Sequence, residues 1–238
     1  MYGYAAPFYY HSVYYILLIP VVLLSIYAQI KVSSTFKRFS RVPNRRGITG
    51  AQAAGAVLRA HGVHDVQIRP CRGSLTDHYD PRDNTIYLSE PVYNAGTVAA
   101  VGVAAHEAGH AVQYAVGYGP IRVRAFIIPV TQFGSQFSLI ALLLGIVLYS
   151  QPLFALGIVL FSLTSVFQLV TLPVEFNASA RALRTIDSSF LLEDDERRGA
   201  KKVLTAAALT YVAALLMSLV QLLRYLLIFA GRSDRRRQ

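Results

Sequence analysis

The chain has 238 residues, 54% of them hydrophobic and only 15% charged, with a formal net charge of +10. An ordinary soluble domain carries about 25% charged residues, so uncharged runs of this extent argue for a membrane protein rather than a soluble one. The basic excess flanks apolar runs instead of clustering on a soluble face, which follows the positive-inside bias and argues against nucleic acid as a partner. Cys71 is the single cysteine, which excludes an intramolecular disulfide and a thiolate zinc cluster.

Met1 to His11 is tyrosine-rich and has no Lys or Arg, so it lacks the basic start of a cleaved signal peptide. The first span is expected at 14–30, with Tyr9, Tyr10, Tyr14 and Tyr15 as an interfacial belt. Pro20 is tolerable inside it, because neighbouring helices can satisfy the freed carbonyl. Lys31, Lys37, Arg38, Arg41, Arg45 and Arg46 follow.

A soluble α+β region is expected over 31–125. Thr49 is an N-cap for a helix over Gly50 to Ala60, with Gly62 as the stop. Val63 to Arg69 and Thr85 to Ser89 read as strands, with Leu75 to Tyr79 as a third candidate and Asp83-Asn84 as a turn. A long apolar helix follows from Ala95 to Tyr118. Spans at 127–149 and 152–172 form a hairpin through Ser150-Gln151-Pro152, and Pro173 is read as the stop. A polar, helical segment runs over 173–202 and a fourth span over 203–230. Positive-inside counting puts 31–125 and 173–202 on the cytoplasmic side; the tail with Arg235, Arg236 and Arg237 then falls outside, outvoted by the other loops.

The chemistry sits in His106-Glu107-Ala108-Gly109-His110. On a helix, residues four apart share a face one turn apart. Two imidazoles so spaced can hold one zinc, and the glutamate beside the first reaches a water on the metal. Zinc lowers the pKa of that water to about 7, and Glu107 is the catalytic base that takes its proton and passes it to the leaving amine. The bland reading is a pair of core histidines. Against it, Glu107 is the only Asp, Glu, Lys or Arg between Asn94 and Tyr118, and a charge in so apolar a run is costly unless it is partnered or functional. The small residues Ala108 and Gly109 fit either backbone approach to a metal or plain helix packing.

A catalytic zinc needs a third protein ligand and an open position. No histidine follows His110, so the acid residues downstream are the candidates. Glu175 stands where the hairpin returns the chain to the same membrane face; it is read as the third ligand or, alternatively, as a carboxylate favoured by a helix N-terminus. Glu193 to Glu196 reads as a solvated surface. His78 and Tyr79, in Asp77-His78-Tyr79-Asp80, are candidate transition-state stabilisers or else parts of a polar turn before Pro81. The strand Thr85 to Ser89 is a candidate edge for holding an extended peptide, or one arm of a structural hairpin. Arg122, Arg181 and Arg184 suit lipid headgroups more than a substrate carboxylate, and Gln221 and Arg224 snorkel or face a bundle interior.

Four strings carry a family resemblance. They are Leu75-Thr76-Asp77-His78-Tyr79-Asp80-Pro81, Leu88-Ser89-Glu90-Pro91-Val92-Tyr93, Val103 to Gln113 around the motif, and Leu172-Pro173-Val174-Glu175-Phe176-Asn177-Ala178-Ser179. In these the chain resembles the YugP-like neutral zinc metallopeptidases of bacterial membranes, and its layout is similar to the HtpX and Ste24 membrane proteases. The resemblance implies one Zn2+ per chain held by His106, His110 and Glu175, a gluzincin-like set. Those relatives carry an aspartate four residues after the glutamate; this chain has Ser179, so support of a ligand histidine is expected from Asn177 or Ser179.

The fold class expected is a mainly α membrane protein: about four transmembrane helices plus a small α+β zincin-like metalloprotease domain with a short β-sheet, with 1–238 as a single unit. The function expected is a zinc-dependent endopeptidase of the cell membrane, multi-pass, acting on a protein or peptide substrate from the cytoplasmic side, in the setting of membrane-protein quality control that the resemblance implies. Two alternatives are an intramembrane site-2-type protease, which would require an Asp-Gly ligand motif that is absent downstream, and a scaffold with structural zinc. The latter would need a fourth ligand from His61, His64 or His78. Beyond substrate and lipid bilayer, no partner is implied, and oligomeric state has no signal.

Overall fold

The computed structural model describes the backbone of residues 5–235 and the side chains of 14–231. Tyr9, Tyr10 and the arginines of the tail lie outside the described side chains. The chain is mainly α: α1 (Ala5–Phe39), α2 (Gly50–Ala60), β1 (Gln67–Cys71), β2 (His78–Asp80), β3 (Thr85–Ser89), α3 (Glu90–Tyr93), α4 (Val98–Ala115), α5 (Gly119–Val147), α6 (Gln151–Ser188) and α7 (Asp194–Arg235). Four of these, α1, α5, α6 and α7, are long and apolar enough to cross a membrane.

The residues divide into two compact units. The first comprises residues 1–27, 123–171 and 211–238, and the second comprises 28–122 and 172–210. In the first, α5 and α6 meet at very short range. A Cβ on Gly145 would stand 2.6 Å from the Phe154 backbone nitrogen, and one on Gly157 would stand 2.8 Å from that of Leu142. Small residues permit this approach where lipid offers no hydrophobic drive for helix pairing. Leu142, Phe154 and Ile158 form a small core, with Leu222, Tyr225, Ile228 and Phe229 of α7 packed on it. The outward residues are large and apolar, including Phe126 (77% exposed), Val147 (67%) and Phe133 (59%). An apolar surface this extensive suits acyl chains, not water. Arg224 lies over the Tyr14 ring at 4.8 Å, and the Tyr14 hydroxyl donates to Gln221 Oε1 at 3.4 Å, so Gln221 and Arg224 of the last span share one aromatic partner.

The second unit carries the sheet and the main core. Thr49 caps α2 through a complete capping box with Gln52. The sheet order is β1-β3-β2; β1 runs parallel to β3, and β2 pairs antiparallel with it. Pro70 is accommodated because β1 is an edge. β3 is paired on both sides, and Ile86 and Leu88 are fully buried. Thr85 to Ser89 is therefore a central strand with no free edge for a peptide, and the edge strand that packs against α4 is β2. The Asp83-Asn84 turn belongs to the β2–β3 hairpin, with Asn84 at a positive φ of 54° that asparagine tolerates.

The helices α1, α5 and α7 extend beyond the expected spans, and α4 is shorter than Ala95 to Tyr118. β1 starts later than Val63, the third strand is His78–Asp80 in place of Leu75 to Tyr79, and Pro173 does not stop its helix. α6 continues to Ser188. Proline removes one helix N–H, but Val174, Ala178, Ala182 and Ile186, spaced four apart, are each fully buried. That apolar stripe keeps the lower part of α6 helical. The polar segment 173–202 is thus split between the end of α6 and the start of α7. Glu196, in the first turn of α7, is 5% exposed and accepts from the backbone N–H groups of Arg45 and Glu193, so it is not the solvated acid expected from the run 193–196.

Candidate metal site

α4 begins at Thr97, whose hydroxyl accepts from the Ala100 N–H. Its alanines and valines are buried along most of its length, which holds the helix inside the core of the second unit. His106 and His110 project from one face, as the spacing of four requires, with ring centroids 4.7 Å apart at 82°. Glu175 comes from α6, two residues past Pro173, and is 2% exposed. Its Oε2 lies 3.2 Å from His106 Nε2 and 3.5 Å from His110 Nε2. The ligand atoms of all three lie within 4.8 Å of one another, so the cluster could bind a metal ion.

Close contact between the helices makes this convergence possible. A Cβ on Gly109 would stand 2.7 Å from the carbonyl oxygen of Ala178. Real Cβ atoms do not come that near, so glycine lets α6 lie directly against the motif helix. Of the two readings of that residue, close helix packing is what this contact shows.

The far nitrogens of both imidazoles are held. Ser179 Oγ is 3.0 Å from His106 Nδ1, and Gln113 Oε1 is 3.0 Å from His110 Nδ1. Gln113 also donates its amide to Val174 O at 2.8 Å and to Asn177 Oδ1 at 3.1 Å, and Arg181 Nε donates to the same Asn177 oxygen at 2.8 Å. Of the two residues expected to support a histidine, Ser179 lies against His106 itself, whereas Asn177 meets Gln113 and touches neither ring directly. Gln113 was not singled out in the sequence reading. Its signal was available: a lone amide three residues after His110 on an apolar helix needs a buried partner.

Glu107 sits beside this cluster. Burial pushes its carboxyl up to about 7; His106 opposes the rise, Glu175 and Asp77 add to it, and His78 opposes it. Asp77 is itself tied down, accepting from Ser89 N–H at 2.7 Å and from Ser89 Oγ at 2.9 Å. His78 stacks on Tyr87 with centroids 5.1 Å apart, and its Nδ1 is 2.8 Å from Thr76 O. Tyr79 packs its ring 5.5 Å from that of Tyr114 and donates its hydroxyl to Asn84 Oδ1 at 2.6 Å. Burial pushes the Tyr79 phenol up to about 12, so it stays neutral. The His78 ring is held against Tyr87, and the Tyr79 hydroxyl is engaged at the β2–β3 turn. Arg181 belongs to the amide network rather than to a free basic surface.

The fold and this site define a class. Residues 14–230 match the family model described as "Putative neutral zinc metallopeptidase", and the chain belongs to that family. It is also similar to "Putative membrane protease YugP" of Bacillus subtilis (strain 168), at 48% identity over 211 residues, covering 89% of this chain and 94% of that protein. No solved structure matches the chain. A membrane location follows from that relative together with the four apolar helices.

Proposed function

We propose that the protein is a zinc-dependent, multi-pass membrane endopeptidase whose metal is held, one ion per chain, by His106, His110 and Glu175. The observation that carries this is the convergence of two imidazole nitrogens and a buried carboxylate within 4.8 Å, with Glu107 beside them. The donor set fits zinc, for which two histidines and a glutamate are a common catalytic combination. Structural sites are usually closed by four protein ligands, and among the described residues the group contains three. That favours an enzyme over a scaffold.

When bound, zinc supplies Lewis acidity, acidifying a water and polarising a carbonyl. The chain's own residues do the rest. Glu107 takes the water's proton and returns it to the departing amine. Its raised pKa suits that exchange, because a group near neutrality both accepts and donates. His78, at the start of β2, is the candidate donor to an oxyanion. The substrate is a peptide or protein, the setting membrane-protein quality control, and the site faces the cytoplasm, where the basic residues 31–46 favour retention of that region.

The test is elemental analysis of detergent-purified protein. About one zinc per chain, kept by Glu107→Gln and lost or weakened by Glu175→Ala, is the expected result for a three-ligand site. A wild type that takes up no zinc after repletion sinks the reading. Full retention by Glu175→Ala moves the third ligand elsewhere.

A further inference from the structure

The two histidine supports are not equivalent. A serine hydroxyl can donate or accept, so Ser179 leaves either tautomer of His106 open. A glutamine has one end of each kind, and here the surroundings decide which end is which. Val174 O is a carbonyl and can only accept, so the Gln113 atom 2.8 Å from it must be the NH2 group. Arg181 Nε can only donate, which fixes the Asn177 atom it meets as the oxygen, and that oxygen also faces the Gln113 NH2. The remaining end of Gln113, 3.0 Å from His110 Nδ1, is therefore the carbonyl oxygen. An oxygen at that place demands a proton on Nδ1. A neutral imidazole protonated on Nδ1 has its lone pair on Nε2, the atom 3.5 Å from Glu175.

We propose that Gln113 is a positioning residue. It locks His110 in the tautomer and ring orientation that present Nε2 to the site, and it ties that ring to the α6 backbone next to Glu175. Gln113 is fully buried, so water does not compete for either end. Through Val174 O, the amide bridges one ligand helix to the residue that precedes the carboxylate ligand on the other. Asn177 and Arg181 form the back of the chain and hold the amide plane. The inference rests on the zinc reading above and adds a residue to it.

The experiment measures zinc dissociation constants by competition with a chromophoric chelator, alongside thermal unfolding of each metal-free variant. Wild type, Gln113→Met, Gln113→Glu and Asn177→Ala are compared. Removing an outer hydrogen-bond partner of a ligand histidine weakens metal binding by about 10–100-fold, and that loss is expected for Gln113→Met. Gln113→Glu retains an acceptor toward Nδ1 but turns its second oxygen toward Val174 O and Asn177 Oδ1, so its affinity should fall below wild type and stay above that of Gln113→Met. Asn177→Ala leaves the His110 contact intact and should lose less than Gln113→Met. A purely structural role would lower the unfolding temperature in proportion to lost packing and would not rank Gln113→Glu above Gln113→Met in zinc affinity. Equal affinities for wild type and a folded Gln113→Met overturn the inference while leaving the zinc site standing. Should Gln113→Met fail to fold, the glutamate variant decides alone: an affinity loss beyond about 100-fold, more than losing the support altogether costs, would overturn the acceptor role. A wild type without zinc would sink the metal site and this inference together.

Discussion

Glu107 is under opposing demands. A general base must be ionised to accept a proton, yet burial favours its neutral form and pushes it up to about 7. A bound dication would draw it back down, so kcat/KM should fall on acidification with a midpoint at or below about 7. Glu107→Gln should lose about 10²–10⁴-fold in kcat while retaining zinc, which a peptide-cleavage assay beside elemental analysis would check. The same shift has a consequence for stability. A carboxyl whose folded pKa is raised contributes stability below its unfolded value near 4.5, and that contribution is lost as the pH rises through about 7. In metal-free protein, Glu107→Gln should therefore unfold at a higher temperature than wild type above neutrality, and the difference should vanish toward pH 4.5. Thermal scans of the two proteins at both pH extremes would decide it. A difference independent of pH would show that the carboxyl is not strained by burial.

At the scale of elements, the meeting of α4 and α6 controls the site. Gly109 faces the Ala178 carbonyl so closely that any side chain would push against backbone, which cannot rotate away. Gly109→Ala should cost about 1–3 kcal/mol, as overpacking usually does, and should weaken zinc binding because the ligand from α6 moves with its helix. Unfolding midpoints and zinc content read the two effects separately. If stability falls and zinc binding does not, the helix contact and the site are independent. The start of α7 offers a contrast. Asp195 and Arg45 form an exposed ion pair, and exposed pairs contribute little. Glu196 is buried and satisfies two backbone N–H groups. Glu196→Ala should destabilise by about 1–3 kcal/mol, the usual cost of stranding buried donors, whereas Asp195→Ala should be nearly silent in the same denaturation experiment.

At the scale of the molecule, sidedness is the open variable, and Cys71 makes it measurable. It is the only cysteine, lies at the end of β1 in the second unit, and is partly exposed. With the region 31–125 in the cytoplasm, a membrane-impermeant maleimide should label Cys71 in inside-out vesicles and not in intact cells. The reverse pattern would put the candidate metal site on the outer face and overturn the positive-inside assignment. Labelling on both sides would require detergent controls for vesicle integrity before it counted against either.

Much of this protein was legible in the residue order, because the relevant signals are local. The spacing of His106 and His110 on an apolar helix, the Thr49 cap, the strand at Thr85 to Ser89 and four long uncharged runs each depend on residues within a turn or two of one another. Glu175 was reached by exclusion and by resemblance, since no rule of spacing links it to residues more than sixty positions earlier. What the tertiary structure decided lies at contacts between distant segments. Pro173 read as a stop, but a buried stripe on α6 kept the helix intact. β3 read as an available edge or as one arm of a hairpin, and pairing on both sides decided for the hairpin. Gln113 looked like one more polar residue on a helix, until Val174, Asn177 and Arg181 gave its two ends different partners. Composition and periodicity determine which face of an element is apolar. Only packing determines which polar atom on that face meets which, because a hydrogen bond depends on position to within a fraction of an ångström and a hydrophobic pattern does not.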